Sequence, residues 1–441
     1  MIRQIVLADK PIIRKRLQPV KKFDQGLREL VSDMIDTMTF ANGAGLAANQ
    51  VGVDTQVFVT GVGPKPQVFI NPKLKTLFSR RDLIEEGCLS VPGYRGPVHR
   101  PTAVEITYDN LKGQRRKKTV RGYLARVLQH EYDHLQGKLY IDHIKNRDAI
   151  EEVKPTRIAF FGSGEFAVPA LISLLGLNWT FDFLTAVVVT QPPRLTGRKQ
   201  ELTETPVNEV ANKFGVAVMT PEKLDEKFLA DLKSRQIDLI VLTDYHQLLP
   251  AELLKLPRFG GVNIHPSLLP RYRGSAPIQS AILNGDRTTG VTLMKMNEKL
   301  DQGGVITQYK LPIEENDTYL TLRDKLSNVG AQMIRDNLYY YVTGQLKPTP
   351  QKKAGVSNAP MIKSSDGEIK PTDSPARVVR KVRALNPNPG AYSTWKGKRV
   401  KILAAHLENG QLVLDEIQME GGKPMSWKDF RNGYPDFRLL A

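Results

Sequence analysis

The chain has 441 residues, of which 41% are hydrophobic and 25% are charged, and its net charge is +17. At about 150 residues per domain, this length predicts about three domains, and the composition excludes a disordered or collagen-like chain. The single cysteine, Cys88, excludes an intrachain disulfide framework and therefore a secreted disulfide scaffold.

The charge distribution bears on location and partners. No run of about 18 apolar residues occurs, and the amino terminus is too highly charged for a signal peptide. We therefore expect a soluble, cytoplasmic protein without a membrane partner. The excess of 63 basic over 46 acidic residues favours a polyanionic partner such as RNA or the ribosome surface, although a merely solubilising surface is the alternative.

Residues 1–150 mix short strands with two helices. Apolar residues at helical spacing predict helices within residues 23–41 and 123–136, the second ending before Gly137. Because no strand–helix–strand repeat occurs, this region has the pattern of an α+β domain. Strands are predicted at 55–61, 67–74, 104–110 and 117–123.

From Arg157 onwards strands alternate with helices, a pattern typical of a parallel, doubly wound α/β sheet of Rossmann-like type. A short polar junction at 151–156 separates this region from the first. Helices are predicted at 167–176 and 207–215, and strands at 157–162, 183–190, 216–221, 238–244, 260–265 and 290–296.

A second junction near 345–362 is rich in proline, lysine and small residues. Beyond it, a helix is predicted at 374–386 and strands at 399–407 and 411–418, and this mainly β character suits a small barrel. The predicted domains are residues 1–152, 155–345 and 361–441.

The strongest local signal is the pattern His-Glu-Tyr-Asp-His at 130–134, in the second predicted helix. Helical spacing places the imidazoles of His130 and His134 one turn apart, as a metal ion requires, and Glu131 between them can take a proton from water. Cys88, in the segment Glu-Glu-Gly-Cys-Leu-Ser, can complete a Cys/His/His set that leaves a fourth coordination position open. A buried, inert cysteine is the alternative.

Small residues at 43–52, Gly-Ala-Gly-Leu-Ala-Ala-Asn-Gln-Val-Gly, form a third element. They let the backbone approach a ligand closely, and Gln50 offers an amide donor, although a plain glycine-rich turn is the alternative. In this order and spacing, GAGLAANQVG, EGCLS and HEYDH resemble the peptide deformylases over residues 1–145.

This resemblance implies removal of the formyl group from the formyl-methionine of nascent polypeptides. It implies Cys88, His130 and His134 as metal ligands, with Fe²⁺ as the preferred ion and Zn²⁺ or Ni²⁺ as substitutes. It also implies that Glu131 acts as the general base and then as the acid. Because a thiolate on Fe²⁺ is oxidisable, the activity should be sensitive to oxygen.

The same resemblance implies that Gln50 and the backbone N–H of Leu89 stabilise the oxyanion of the attacked formyl group. Gly45 is then expected to lie at the substrate. One feature departs from the family: a long helix often follows the metal-binding helix, and here little chain is left for it before the next domain.

The segment Gly-Ser-Gly-Glu-Phe-Ala at 162–167 follows a predicted strand and opens a helix, as in dinucleotide-binding proteins. The next strand, however, ends in Thr190 and Gln191 and not in the acidic residue that would hold a ribose. NAD binding is therefore disfavoured.

Polar residues also end the strand predicted at 260–265. Asn263 and His265 share one face of it, and a proline-rich loop follows, at the edge where open parallel sheets bind ligands. Asp301, in Lys-Leu-Asp-Gln-Gly-Gly, can orient or charge the imidazole. A purely structural histidine is the alternative for His265, but the asparagine and the loop favour a site.

In this order, GSGEFA, TQPPRLTGRKQ, NIHPSLLPRYRGSAPIQ and LDQGG resemble the signatures of the 10-formyltetrahydrofolate-dependent formyltransferases, over residues 155–441. The resemblance implies 10-formyltetrahydrofolate as the formyl donor and an uncharged amine as the acceptor. It implies that Asn263 and protonated His265 stabilise the oxyanion and that Asp301 helps to remove the amine proton. The residues implied for folate contact are Ser267, Leu268, Leu269 and Pro270.

Two features favour initiator methionyl-tRNA as the acceptor. A basic loop with Arg194, Arg198 and Lys199 resembles the loop that reaches the acceptor stem in methionyl-tRNA formyltransferases. The tail from residue 361 resembles their carboxy-terminal OB-like barrel, a kind of module used on nucleic acid. An amine of a nucleotide sugar or of a ribonucleotide is the alternative acceptor.

We therefore interpret the chain as a fusion of a peptide deformylase with a methionyl-tRNA formyltransferase. Two rival interpretations concern the first domain. An inactive remnant is disfavoured because every metal ligand and Glu131 are present, and a protease based on the histidine pattern alone is disfavoured by Cys88 and the GLAANQ segment.

Overall fold

The computed structural model of the chain describes residues 1–77, 80–180, 182–196 and 201–439. The chain divides into two compact units, Met1–Arg157 with Ser173–Thr185 and Ile158–Ile172 with Ala186–Ala441. Among the described residues, no helix is long and apolar enough to cross a membrane.

The amino-terminal region combines two longer helices with short strands. The helices are α1 (Gln25–Phe40) and α2 (Gly122–Leu135). The strands are β1 (Gly45–Ala47), β2 (Val57–Thr60), β3 (Gln67–Thr76), β4 (Arg81–Cys88), β5 (Val91–Pro101), β6 (Ala103–Asp109), β7 (Arg115–Arg121) and β8 (Glu151–Glu152).

One antiparallel sheet, in the order β1-β2-β3-β6-β7, is covered on both faces. Successive residues of a strand point to opposite faces, so Val57 and Val59 of β2 pack with α1 while Phe58 packs with α2. Asp24 caps α1 by accepting a hydrogen bond from the backbone N–H of Leu27 (3.1 Å). A second sheet has the order β4-β5-β8, and its strand β4 ends at Cys88.

The two helices and the four strands predicted for this region are confirmed within a few residues, as is its α+β character. β4 and β5 are not among the predicted strands. Pro92, Gly96 and Pro97 interrupt the alternation of β5, and charged residues dominate β4. This omission matters because Cys88, a candidate metal ligand, is the last residue of β4.

The later part of the chain contains more elements. From Thr156 onwards the helices are α3 (Val168–Leu177), α4 (Pro206–Lys213), α5 (Glu226–Ser234), α6 (Ala251–Lys255), α7 (Pro277–Leu283), α8 (Tyr319–Val342), α9 (Pro375–Leu385) and α10 (Trp427–Gly433). The strands are β9 (Thr156–Phe161), β10 (Phe183–Val189), β11 (Arg194–Thr196), β12 (Glu201–Thr203), β13 (Val218–Met219), β14 (Leu239–Leu242), β15 (Gly261–His265), β16 (Thr288–Lys295), β17 (Val305–Pro312), β18 (Ala391–Trp395), β19 (Lys398–Glu408), β20 (Gln411–Met419) and β21 (Met425–Ser426).

A seven-stranded sheet runs in the order β13-β10-β9-β14-β15-β16-β17. β10 pairs with β13, β9 with β14 and β14 with β15 in parallel, as predicted for a Rossmann-like sheet. β16 and β17 are antiparallel, so the prediction of a wholly parallel sheet is wrong for residues 290–296. An apolar run carries no information about strand direction, and antiparallel edges are common on such sheets. The long helix α8 is not among the predicted helices.

The carboxy-terminal part contains a four-stranded antiparallel sheet, β18-β19-β20-β21, packed with α9 and α10. Val378 and Val382 of α9, Ile402 of β19 and Phe430 of α10 lie in its core. The predicted small β domain and its helix are confirmed, whereas closure into a barrel and the three domain boundaries stay predictions.

Candidate functional site

Three candidate metal ligands converge in the amino-terminal unit. Cys88 ends β4, and α2 carries His130 and His134 one turn apart. The Cys88 sulfur lies 3.2 Å from Nε2 of His134, and one ligand atom from each of the three residues lies within 4.8 Å of the others. One sulfur and two imidazole nitrogens form a donor set that suits zinc or iron.

The electrostatics of this cluster suit a cation. Burial alone would raise the pKa of the Cys88 thiol, but the imidazoles of His134 and His130 lower it to about 5. Burial would also lower the pKa of His130, yet hydrogen bonds to Cys88 and Glu86 raise it well above its ordinary value. A divalent ion would bind the thiolate and the neutral form of the imidazoles, and it would thus replace the protons that offset the charge of the sulfur here.

A buried carboxylate, Glu86, orients one of the ligands. Its Oε2 lies 3.1 Å from Nδ1 of His130, which leaves Nε2 of that ring for the metal. Oε1 accepts hydrogen bonds from Arg100 and Arg126, each at 2.7 Å. Burial opposes the charge of Glu86, but the hydrogen bonds from His130 and Arg100 hold its pKa well below the usual range.

A second carboxylate extends this network. Asp133 accepts a hydrogen bond from Arg100 (2.8 Å) and lies 2.8 Å from Nε2 of His143. His143 therefore contacts the network and not the candidate ligands.

Glu131 faces the cluster from α2 and is buried. Burial raises the pKa of its carboxyl to about 7, although the imidazoles of His130 and His134 oppose this shift. Its Oε2 has no hydrogen-bond partner within the described part of the chain. Such an atom is available to water or substrate.

The segment at 43–52 approaches Glu131 closely at Gly45. A Cβ atom at Gly45 would lie 2.5 Å from Oε1 of Glu131, so a side chain at this position would collide with the carboxylate. Gln50 is buried; its Nε2 lies 3.6 Å from the Cys88 sulfur and its Oε1 accepts a hydrogen bond from the backbone of Ala47. A cavity of about 320 Å³ is lined by Gly45, Gln50, Leu89 and Glu131, among others.

The second candidate site gathers at the end of β15. Asn263 and His265 are buried there, and Asp301 lies in the turn between β16 and β17 with a left-handed backbone (φ 51°). Oδ1 of Asp301 is 3.4 Å from Nδ2 of Asn263 and 3.7 Å from Nδ1 of His265. The structure thus brings the predicted trio together.

Hydrogen bonds fix both acid–base groups of this trio. Oδ2 of Asp301 accepts a hydrogen bond from the backbone N–H of Gly274 (2.8 Å). Nε2 of His265 lies 2.9 Å from the carbonyl oxygen of Tyr272, so Nε2 carries a proton and Nδ1 is the nitrogen that faces Asp301.

The four residues predicted to contact folate differ in exposure. Ser267 and Leu269 are buried, and their polar groups bond within the protein: the Ser267 hydroxyl donates to the Arg271 carbonyl (2.6 Å), and the Leu269 N–H donates to the Thr292 hydroxyl (3.1 Å). Leu268 and Pro270 are partly exposed.

The basic loop is described only in part. Arg194 is exposed at the start of β11, which pairs with β12. Arg198 and Lys199 lie outside the described residues.

Glu86, Arg100 and Arg126 are functional candidates that the sequence patterns do not identify. The one feature of the sequence that points to Glu86 is its position, two residues before the candidate ligand Cys88. The two arginines belong to β5 and α2, far from Glu86 along the chain, and no local pattern links them to it.

Comparisons with protein families assign three regions. Residues 2–149 match the family model of polypeptide deformylase. Residues 156–338 match that of formyl transferase, and residues 361–411 match that of the formyl transferase C-terminal domain.

Individual proteins are also similar to parts of this chain. The methionyl-tRNA formyltransferase of Caldicellulosiruptor saccharolyticus is 36% identical over 305 residues, which are 63% of this chain and 96% of the relative. That of Myxococcus xanthus is 38% identical over 301 residues, 63% of this chain and 95% of the relative. Among solved structures, the peptide deformylase from Thermotoga maritima is 40% identical, with a TM-score of 0.32, and the match covers 33% of this chain and 99% of that one.

Replacing Glu86 with Gln is expected to weaken metal binding about 10- to 100-fold, because His130 loses the carboxylate that orients it. We also expect the free energy of unfolding to fall by about 3 kcal/mol, because Arg100 and Arg126 lose a buried counter-charge. Metal titration and denaturant unfolding measure the two effects.

The matched control is Glu85→Gln, the same change at an exposed neighbour. Equal effects of the two substitutions would show that Glu86 has no special part in holding His130.

Proposed function

We infer that this chain both adds and removes the formyl group of initiating methionine, because it belongs to the methionyl-tRNA formyltransferase family and carries a polypeptide deformylase domain. One activity transfers formyl from 10-formyltetrahydrofolate to the amine of initiator methionyl-tRNA. The other removes formyl from the amino-terminal formyl-methionine of nascent polypeptides. The observation that carries this proposal is the presence of two complete sets of reacting groups.

The proposed domains are residues 1–152, 155–345 and 361–441.

For deformylation, we assign Cys88, His130 and His134 as the metal ligands. We propose Fe²⁺ as the ion, with Zn²⁺ or Ni²⁺ as substitutes, since one thiolate and two imidazoles suit all three. When bound, the ion supplies Lewis-acid activation of water and of the formyl oxygen.

The remaining deformylase residues act on protons and charge. Glu131 takes a proton from the attacking water and returns it to the departing amine, so formate and a free amino terminus result. The Gln50 amide and the Leu89 N–H donate to the oxyanion that forms as the formyl carbon becomes tetrahedral. Gly45, which lines the cavity and has no side chain to collide with Glu131, is proposed to lie at the substrate.

For formyl transfer, we assign Asn263, His265 and Asp301 as the catalytic residues. The amide of Asn263 and the protonated ring of His265 stabilise the oxyanion, while Asp301 accepts the proton of the attacking amine. The bond between the formyl carbon and the folate nitrogen then breaks, and tetrahydrofolate leaves with a proton on that nitrogen. Their spacing of 3.4 and 3.7 Å around one carboxylate oxygen supports these roles. We propose folate contact for Ser267, Leu268, Leu269 and Pro270, of which Leu268 and Pro270 are the more exposed.

We propose that the acceptor tRNA contacts Arg194, Arg198 and Lys199 and the carboxy-terminal domain. Exposed Lys398 and Arg399 on β19 support the second contact, since they present positive charge for phosphates. Both proposed substrates belong to translation, which supports a cytoplasmic location.

We also propose that the deformylase domain approaches the ribosome surface through β7, the edge strand of its larger sheet. Arg115 and Lys117 of β7 are paired with acidic residues at 3.0 Å, whereas exposed Lys112 and Arg116 have no acidic partner among the described residues. These two cations are therefore open to RNA phosphates.

Glu131→Gln is expected to lower deformylation of a formyl-methionyl peptide about 100- to 10,000-fold, because it removes the general base while leaving the ligands in place. Protein prepared without oxygen should keep one iron per chain in both forms, and metal analysis measures this. Formyl transfer by the same preparation is the control. Unchanged peptide turnover would refute the role of Glu131.

Asp301→Asn is expected to lower formyl transfer to charged initiator tRNA by about 100-fold or more, since the acceptor of the amine proton is lost. Deformylation should stay at the level of the unmodified chain. The assay follows formyl transfer from 10-formyltetrahydrofolate. An unmodified chain that formylates a nucleotide-sugar amine but not the tRNA would favour the alternative acceptor.

Binding of initiator tRNA and of ribosomes is expected to weaken more than about tenfold between 50 and 200 mM salt, because each phosphate contact releases counterions. Cosedimentation and filter binding measure this. The double substitution Lys112→Glu, Arg116→Glu should weaken only the ribosome contact. Ribosome binding that is insensitive to both salt and this substitution would exclude β7 as the contact.

A further inference from the structure

The stretch that joins the formyl-transfer region to the carboxy-terminal region lies against the trio. We define residues 348–359 as the linker segment. At its start, Thr349 exchanges two backbone hydrogen bonds with Val305, at 2.7 and 2.8 Å, next to the turn that carries Asp301. At its end, the N–H of Ala359 donates to the carbonyl of Arg273 (2.7 Å). The linker segment thus touches both loops that form the site.

Between these ends, Gln351 connects the two loops through its side chain. Nε2 donates to the carbonyl oxygens of Asp301 (2.8 Å) and Gly303 (2.9 Å). Oε1 accepts from Nε and Nη2 of Arg273, at 3.1 and 2.7 Å. A carboxamide has two donor hydrogens and two acceptor lone pairs, so the hydrogen-bonding capacity of Gln351 is fully used.

The orientation of this amide is fixed by its neighbours. Turning it over would place N–H groups against the guanidinium of Arg273 and an oxygen against two carbonyl oxygens. Because both arrangements are repulsive, only the observed orientation satisfies all four groups.

These contacts act on the backbone of the proposed base. Asp301 has a left-handed backbone conformation. An aspartate can adopt this conformation, but its side chain does not by itself favour it over the ordinary ones. Its Oδ2 is held by the N–H of Gly274, which belongs to the loop that Arg273 also forms. Gln351 therefore fixes the distance between the carboxylate and the loop that orients it.

We propose that Gln351 is a positioning residue for formyl transfer, which holds Asp301 at its distance from Asn263 and His265 without touching the substrate. This proposal rests on the proposed function of the trio. It predicts that the loss of Gln351 slows the chemical step and leaves substrate binding intact.

The experiment compares Gln351→Glu and Gln351→Ala in the full chain. The glutamate still accepts from Arg273 but cannot donate to Asp301 and Gly303. We expect both substitutions to lower kcat for formyl transfer about 10- to 100-fold, with KM unchanged for 10-formyltetrahydrofolate and for methionyl-tRNA, since small displacements of reacting groups have effects of this size. Gln345→Glu, the same change at an exposed glutamine before the linker segment, is the matched control and should have no effect.

Deformylation by the same preparations measures the amount of folded protein, and thermal unfolding shows whether the variants keep their stability. A fall in kcat with KM and the unfolding temperature unchanged supports the proposal. A rise in KM alone, or a glutamate variant as active as the unmodified chain, overturns it. Absence of transfer by the unmodified chain would instead refute the proposed function.

Discussion

The carboxylate of Glu86, buried between two guanidinium groups and an imidazole, is the interaction on which the first site depends. A lone carboxylate in this place would lose most of its charge, because burial without partners is far more costly than exposure to water. Arg100 of β5 and Arg126 of α2 supply the compensating charge at one oxygen, and Arg100 and His130 both contact the other. The candidate ligands come from a strand, which carries Cys88, and from a helix, which carries the histidines. The ion pairs and hydrogen bonds of Glu86 join these two elements. The geometry of the ligands is a property of this packing as much as of the histidine pattern.

Both sites act on the same electrophile, a formyl carbon, and they meet its chemistry in parallel ways. In the proposed mechanisms, each offers a carboxamide, Gln50 or Asn263, to the oxygen on which negative charge develops. Each also offers a carboxylate, Glu131 or Asp301, as the proposed acceptor of the proton that leaves the attacking group. The sites differ in the group that would offset this charge: in the first it would be an ion held by Cys88, His130 and His134, and in the second it is the imidazole of His265.

The sequence predicts best what is local. The histidine pair is recognisable because helical spacing alone brings His130 and His134 together. Asn263 and His265 are recognisable because strand alternation places them on one face. Cys88 is identified by its chemistry, yet its strand is missed because proline and glycine disturb the pattern of its partner. The arginines around Glu86 and the role of Gln351 are out of reach, since their contacts join residues far apart along the chain. A proline- and lysine-rich stretch suggests a spacer from its composition, and nothing in it shows that it hydrogen-bonds to a turn 50 residues earlier.

The contacts of the linker segment bear on where the formyl-transfer unit ends. The formyl transferase family match stops at residue 338 and the next begins at residue 361, so the intervening stretch belongs to neither. An enzyme trimmed after Thr343 would keep every strand of the seven-stranded sheet and all three members of the trio. It would nevertheless expose the carbonyls of Asp301 and Gly303 to solvent and leave Arg273 without its amide partner. On the role proposed for Gln351, a functional formyl-transfer unit would therefore extend past the boundary proposed at residue 345, and any exchange of tails between relatives would have to carry these dozen residues along with the sheet.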